Sequence, residues 1–521
     1  MKTLTGILRQ RKLVLTLALL LALLGGLAWV TMKRQEDPRL PDFWGQVVVS
    51  LPGADAETVE RLVLDRVEEA LASVDEIKEI KSTAYAEVAV LTIDLREDVA
   101  DTDSAWDEVR SALDDAYAEL PEGASEPRLN DDLQDQEGIV YALTGHPDPL
   151  VLERAAKDLK DELLALPVVS QVHLVADPGD QITVELTDSA ARRLGLDPRL
   201  LAAQLGARNR ILPGGSIELS GRTVTLRPQS EFESLDEIRS TPVLLPSGST
   251  VPLDAVATVR RGPEEPATAR MRYDGKDAVG LAVVLRTGIN VIEAGKQVRA
   301  RMAELTPTVA PIEVDEIAFQ PDRVDTRLHE LGRSLALGVM IVAGILMLTM
   351  GLRLGIIVAS VVPLVALSSL AVYAIGGGVL HQISVAALVI ALGMLVDNAI
   401  VVAENIQWRL DRGEDGESAA VGAVTELATP LAAATATTLA AFVPMYLAEG
   451  STGEFTRAIP LLIMLTLTIS YLFAIFVTPA LSQMFLKPHS GIPNGWLERL
   501  APRLGRLAVR RSGWVLVGAT L

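Results

Sequence analysis

Long apolar runs alternate with one long polar block along this chain, and the two kinds of segment predict different structures. Leu13 to Met32 is an uncharged run of about 20 residues, enough for a helix to cross a hydrocarbon core of roughly 30 Å. After the polar block at 33–333 come five more runs, at 334–351, 354–376, 383–406, 427–448 and 458–486. Length and composition therefore predict six membrane spans. A signal peptide is the other reading of the first run. Its length, the Lys33 and Arg34 behind it and the lack of a clear small-residue cleavage site argue against that reading.

Inside the polar block the periodicity switches between strand and helix. Gln46 to Ser50 alternates like a strand, and a Pro-Gly turn then opens an amphipathic helix with Val59, Leu62, Val63, Val67 and Leu71 on one face. Ile77 to Ile80 and Glu87 to Leu95 read as strands, Asp103 to Leu120 as a helix and Glu126 to Leu129 as a last strand, giving the order βαββαβ. A second unit starts the same way, with strand Ile139 to Thr144, helix Pro149 to Leu166 and strand Val169 to Val175. It finishes with strand Ala278 to Leu285, helix Val291 to Leu305 and strand Ile312 to Ala318. The expected fold class is thus an α+β membrane protein. A transmembrane helix bundle carries one βαββαβ (ferredoxin-like) subdomain at 33–130, a second split over 131–175 and 267–330, and an inserted β-rich subdomain at 176–266.

Charge sharpens this picture. The chain has 47 basic and 67 acidic residues, a net of −20, and the block at 33–333 holds 57 of the acids against 33 of the bases. The acidity belongs to that block, which makes nucleic acid an improbable partner. Size and the absence of cysteine exclude a small disulfide scaffold, and an apolar content of 49% excludes a disordered polyelectrolyte. Basic residues near the spans collect on one side: the N-terminus at 1–12, Arg353, the loop with Arg409 and Arg412, and the stretch at 487–512. On the other side the short loops hold only Arg457. The N-terminus is therefore expected in the cytoplasm and the polar block outside. Within 487–512, Trp496, Leu497, Leu500, Leu504 and Leu507 recur at helical spacing among arginines and predict a cytoplasmic helix lying on the inner leaflet. Residues 514–521 start a seventh apolar run too short to span, which reads either as a short tail or as the front of a longer protein cut inside a span.

The most informative residue is Asp397, in ALVIALGMLVDNAIVVAENI of the fourth run. It lies 14 residues beyond Ile383, about 20 Å into the span at 1.5 Å per residue. A carboxylate there costs several kcal/mol as a charge, and such groups usually face a bundle interior or an ion path. The alternative is a protonated carboxyl serving as structural glue. No lysine occurs between Lys296 and Lys487, and the nearby arginines flank the spans, so nothing in the chain can pair with Asp397 at mid-membrane. Burial favours the protonated carboxyl and a nearby cation favours the ionised one, so a cation that approaches and recedes would load and release a proton. Asn398, about 100° around the helix, can only hydrogen-bond. Glu404, two turns on along the same face, marks the cytoplasmic end of such a path or a solvated interface. Thr435, Thr437 and Thr438 offer hydroxyls to the path or bond their own backbone.

These stretches, with LPGADAETVERLVLDRVEEAL, VPLDAVATVRRG, DGKDAVGLAVVLRTGINVIEAGKQVRARM, LGMLVDNAIVVAENI and ATATTLAAFVPM, resemble the RND superfamily of proton-driven exporters. The branch is the hydrophobe/amphiphile (acriflavine-resistance-type) multidrug efflux one, and the match is to its N-terminal half. The resemblance implies an inner-membrane pump of the Gram-negative envelope, homotrimeric when complete, with a periplasmic porter domain. It further implies a periplasmic adaptor, an outer-membrane channel and a C-terminal half as partners, no cofactor beyond the proton gradient, and antiport rather than enzymatic chemistry. Asp397 matches the first carboxylate of the family's acidic pair, and Asn398 stands where many members have the second. The lysine that such proteins set against the pair lies in their C-terminal half. The inserted subdomain resembles the family's docking subdomain, with ILPGGSIELSGRTVTL shorter than the long arm of some members. Near the expected pocket strand the one aromatic is Tyr141, the candidate substrate contact.

Three alternatives stay open. A heavy-metal exporter of the same superfamily would need ligands, whereas the five histidines form no close cluster and Met340, Met347 and Met350 are more often packing residues. A half-size protein-export accessory would explain the length, and a non-functional fragment would too. No nucleophile–base set, phosphate loop or metal-ligand spacing supports an enzyme.

Overall fold

The computed structural model of the chain describes residues 10–38, 40, 42–99, 101–131, 137–209, 216–219, 222–225, 232–488, 506 and 510. The expected surface helix within 487–512 and the apolar start at 514–521 lie outside the described residues, save positions 487, 488, 506 and 510. The chain divides into two compact units, 1–134 with 326–521, and 135–325.

In the first unit α1 (Arg11–Thr31) leads to β1 (Trp44–Ser50), a helix over 56–71 (α2), β2 (Ile77–Tyr85), β3 (Val88–Leu95), α3 (Thr102–Tyr117) and β4 (Arg128–Asn130). The strands form an antiparallel sheet in the order β2-β3-β1-β4. Asp55 and Asp101 start the two helices by accepting from the backbone N–H of Thr58 and Ser104, at 2.9 and 3.2 Å. Strand alternation buries Val47, Val49, Ala89, Leu91 and Ile93 on one face, against Val59, Val63, Val67 and Leu71 of α2 and Trp106 of α3. Leu62 departs from the expected helical face. It is 37% exposed while Leu64 is buried. A π-helical turn at Glu60–Leu64 widens the helix there and rotates the apolar stripe.

The second unit starts with β5 (Ile139–Thr144), α4 (Pro149–Leu164) and β6 (Val169–Val175). The segment that follows holds β7 (Asp180–Leu186), α5 (Asp188–Leu194), α6 (Pro198–Arg208), β8 (Ser216–Leu219), β9 (Arg222–Thr225), α7 (Leu235–Ser240), β10 (Pro242–Leu244), β11 (Thr250–Pro252) and β12 (Ala257–Pro263). Then come β13 (Met271–Tyr273), β14 (Lys276–Leu285), α8 (Val291–Leu305) and β15 (Glu313–Phe319). β14 lies between β5 on one side and β6 and β13 on the other, and β15 flanks β5. Residues on both sides of the insertion therefore share one sheet. The insertion is entered and left through the antiparallel pair β7/β12, running from Asp180 opposite Pro263 to Leu186 opposite Ala257. Expected to be strand-rich, its described residues mix strands with three helices. Asp197 caps α6 ahead of Pro198, and Leu201 and Ile238 carry helix side chains into its small core with Val243, Leu253 and Val259.

The remaining elements are α9 (Gln320–Met350), α10 (Leu352–Ile375), α11 (Gln382–Asp411), α12 (Gly416–Tyr446), α13 (Gly450–Thr456) and α14 (Ala458–Phe485). With α1, and with α13 and α14 taken together, they supply six helical segments among the described residues that are long and apolar enough to cross a membrane. Within the first unit α10, α11 and α14 pack through Val358, Val361, Val365, Leu395, Ala399, Val402, Ala474 and Val477. α12 leaves most of its apolar stretch open, and α9 does so nearly as much. Gly25 of α1 faces the Leu367 carbonyl so closely that a Cβ has no room, which lets the α1 and α10 backbones approach.

Candidate proton-coupling site

Asp397 sits on α11, whose start is set by a reciprocal cap: Ser384 N–H donates to His381 Nδ1 at 3.3 Å and His381 N–H donates to Ser384 Oγ at 2.9 Å. The helix is apolar almost all round, so packing decides which face is inner. Leu388, Ala391, Leu395, Ala399, Val402 and Ile406 are buried, while Ile390, Gly393, Asp397, Val401, Glu404 and Trp408 form an exposed stripe at three- and four-residue spacing. Asp397 and Glu404 thus share the face that the described helices leave uncovered. Among the described residues no side chain bonds or ion-pairs with either of them.

Asn398 turns the other way. It is 8% exposed, and its Nδ2 donates to Thr435 Oγ1 of α12 at 3.5 Å, so it links the two helices beside the carboxylate. Thr437 and Thr438 bond the carbonyls of Ala433 and Ala434 in their own helix, at 2.9 and 3.1 Å. Of the three threonines, the structure brings Thr435 alone to Asn398. Sequence reading missed Ser470 of α14, which is fully buried and donates to the Leu395 carbonyl at 2.8 Å, two residues before Asp397. Buried hydroxyls at Thr466, Ser470, Thr478 and Ser482, all multiples of four apart, are the signal that could have found it.

A family model described as AcrB/AcrD/AcrF matches residues 4–512. The chain belongs to the AcrB/AcrD/AcrF family. The resemblance to RND multidrug efflux transporters is thereby shown, and the six apolar helices make this family member a multi-pass membrane protein. It is 28% identical over 500 residues to the multidrug export protein AcrF of Escherichia coli (strain K12), an overlap of 91% of this chain and 47% of that protein. To the multidrug resistance protein MdtC of Yersinia enterocolitica it is 27% identical over 464 residues, 87% of this chain and 44% of that protein. MdtC of Yersinia pestis gives the same figures. The chain spans about half the length of the curated relatives it matches.

At the far end of α11 in this AcrB/AcrD/AcrF-family chain, Arg409 is fixed by three partners. Its Nε donates to Asn405 Oδ1 at 2.9 Å, its Nη1 to Glu414 Oε1 at 3.3 Å and its Nη2 to Glu426 Oε2 at 2.7 Å, which ties α11 to α12. Tyr141 is placed in the second unit's core. It is 3% exposed on β5, and burial pushes its phenol above the usual range.

Proposed function

We propose that the chain forms the N-terminal repeat of an inner-membrane, proton-driven RND pump that exports small amphiphilic compounds. The polar block acts as its periplasmic porter domain, with 33–130 and the split 131–175 and 267–330 as porter subdomains and 176–266 as the docking subdomain. In this reading the pump is a homotrimer that works with a periplasmic adaptor and an outer-membrane channel. Its energy comes from the proton gradient without a bound cofactor. The names of the curated relatives favour drug-like cargo over metal ions.

The observation that carries the reading is the position of Asp397. It lies mid-span on a stripe that the described helices do not cover, where a carboxylate that stayed ionised without a partner would cost several kcal/mol. A cation brought to that stripe from outside the described helices would ionise the carboxyl, and its withdrawal would reload the proton. Asn398 and Thr435 hold the helix pair beside it, Glu404 leads toward the cytoplasm, and Thr438 contributes a hydroxyl oxygen.

The test is Asp397→Asn in the native protein, produced in an efflux-deficient host and reconstituted in proteoliposomes. Loss of resistance and of substrate-driven proton flux at wild-type protein level is expected. Unchanged export and unchanged gradient dependence would sink the assignment.

A further inference from the structure

The turn between α10 and α11 is stitched to the segment that leaves α1. Leu380 N–H donates to the Lys33 carbonyl at 2.9 Å, Gln35 N–H to the Leu380 carbonyl at 3.1 Å and Gln382 N–H to the Glu36 carbonyl at 3.2 Å. Arg34 and Leu380 form an isolated parallel bridge, and Gln382 Nε2 donates to Asp37 Oδ1. Leu380 and His381 are buried under this contact. The start of α11 does not rest on it alone, because the His381–Ser384 cap satisfies Ser384 N–H while the contact satisfies Gln382 N–H. What the contact adds is a tie between the helix bearing Asp397 and the strand that starts at Trp44.

Two further features make that tie stiff. α10, α12 and α14 contain interior prolines (Pro363, Pro430 with Pro444, and Pro479), but α11 contains none over Gln382–Asp411. Its stretch from Gln382 to Asp397, about 22 Å long, therefore has no proline kink between the clasp and the carboxylate. The first sheet is also held at a second point, where Glu97 covers Gly450 at the start of α13. Gly450 has a φ of 82° there, and a Cβ would meet the Glu97 carboxylate.

We infer that Asp37 and Gln382 are positioning residues for energy coupling: their clasp stays closed through the cycle and transmits displacement of α11 at Asp397 to the first external sheet. The inference rests on the proton-coupling reading above and adds the path by which the proton's effect leaves the membrane. The proton itself does not pass through the clasp. A purely structural clasp would affect stability alone, whereas a coupling clasp sets how far substrate turnover and proton flux accelerate each other.

The experiment uses the native protein in proteoliposomes, with proton flux and substrate efflux followed together. Asp37→Ala and Gln382→Ala are expected to lower kcat on the order of tenfold, the weight of a lost charge-assisted hydrogen bond, with KM nearly unchanged. Substrate should no longer stimulate proton flux in these variants. The exchanged pair Asp37→Asn with Gln382→Glu keeps a donor opposite a carboxylate and should restore coupling. Because this chain has no cysteine, Arg34→Cys with Leu380→Cys in a cysteine-free background offers a second arm, in which the oxidised, cross-linked protein should still transport. Alanine variants that fold and couple normally would overturn the inference. So would a folded exchange pair that fails to restore coupling, or cross-linking that stops transport until reduction. Asp397→Asn run alongside separates the two readings. If it leaves transport intact the proton-coupling reading fails, and if it abolishes transport while the clasp variants couple normally only the clasp fails.

Discussion

Replacing His381 with asparagine separates two roles that the imidazole combines, because asparagine keeps an N-cap acceptor for Ser384 N–H and removes the titratable ring. The ring is 3% exposed. Burial pushes it down from its ordinary value of 6.5 to about 4, against a smaller upward pull from the Asp37 carboxylate. Between those two values the unfolded chain holds a proton that the folded chain lacks. Stability from this site is therefore complete above the ordinary value and drains as the pH falls through the window, by about 2 kcal/mol at pH 5 and about 3 kcal/mol at pH 4. Protonation would also turn Nδ1 from acceptor to donor and break the cap. Thermal unfolding of the native protein in nanodiscs at pH 7.5 and pH 5 measures the effect, with His381→Asn as the reference that cancels the other titrating groups. Wild type should lose more than the variant on acidification, by a midpoint difference of a few degrees or less. Parallel loss in the two proteins would refute a buried neutral His381.

Three further outcomes follow from packing and hydrogen bonding. Gly25→Ala should cost about 1–3 kcal/mol, because its Cβ meets the Leu367 carbonyl. Gly26→Ala, with open space around it, should be neutral or stabilising by up to ~1 kcal/mol, and melting of the two variants in one detergent compares them. Arg299 donates to Glu316 at 3.0 and 2.8 Å and to Asp322 at 2.7 Å, and lies 3.6 Å over the Phe319 ring. Arg299→Ala should weaken the second unit by about 1–2 kcal/mol in thermal unfolding, and Arg299→Lys should recover less than half of that, since an ammonium lacks the planar fork that pairs in parallel with a carboxylate and stacks on the Phe319 ring. Asn398→Leu should cost about 1 kcal/mol by leaving the buried Thr435 hydroxyl without its cross-helix partner, read in the same melts.

The external sheets were legible where strand alternation gave way to helical periodicity. The helices expected after the Pro-Gly turn, near Asp103 and at Val291 begin behind Asp55, Asp101 and Asn290, whose side chains cap them. Leu62 was misjudged because a fixed period of 3.6 cannot represent the π-helical turn at Glu60–Leu64. The insertion reads as strand-rich because of its Gly/Pro turns and short apolar runs, and Asp197 ahead of Pro198 is the cap signal that marks α6. In the membrane, length alone located the spans. It could not say which side of α11 faces inward, since a helix apolar all round has no face to read until its neighbours are known.

That last limit bears on Asp397. Helical spacing already put Asp397 and Glu404 on one face, but the same spacing is compatible with a face buried among α10 and α14. The structure resolves this through residues far apart in the chain. Ser470 reaches the Leu395 carbonyl, Ala474 and Val477 join Ala399 and Val402 in the core, and Asn398 meets Thr435. Once those sides are taken, the carboxylate has only the open stripe left. A structural carboxyl serving as glue would be expected to find a partner within this packed set, and among the described residues Asp397 has none. The geometry therefore favours a group that waits for a partner over one that already has it. Asn398 occupies the neighbouring position where a second carboxylate would meet the Thr435 hydroxyl, so the helix carries one carboxyl on the stripe at mid-span. Asn398→Asp would add a second acid at a position only 8% exposed, and a steeper dependence of transport on external pH is the outcome that would separate one carried proton from two.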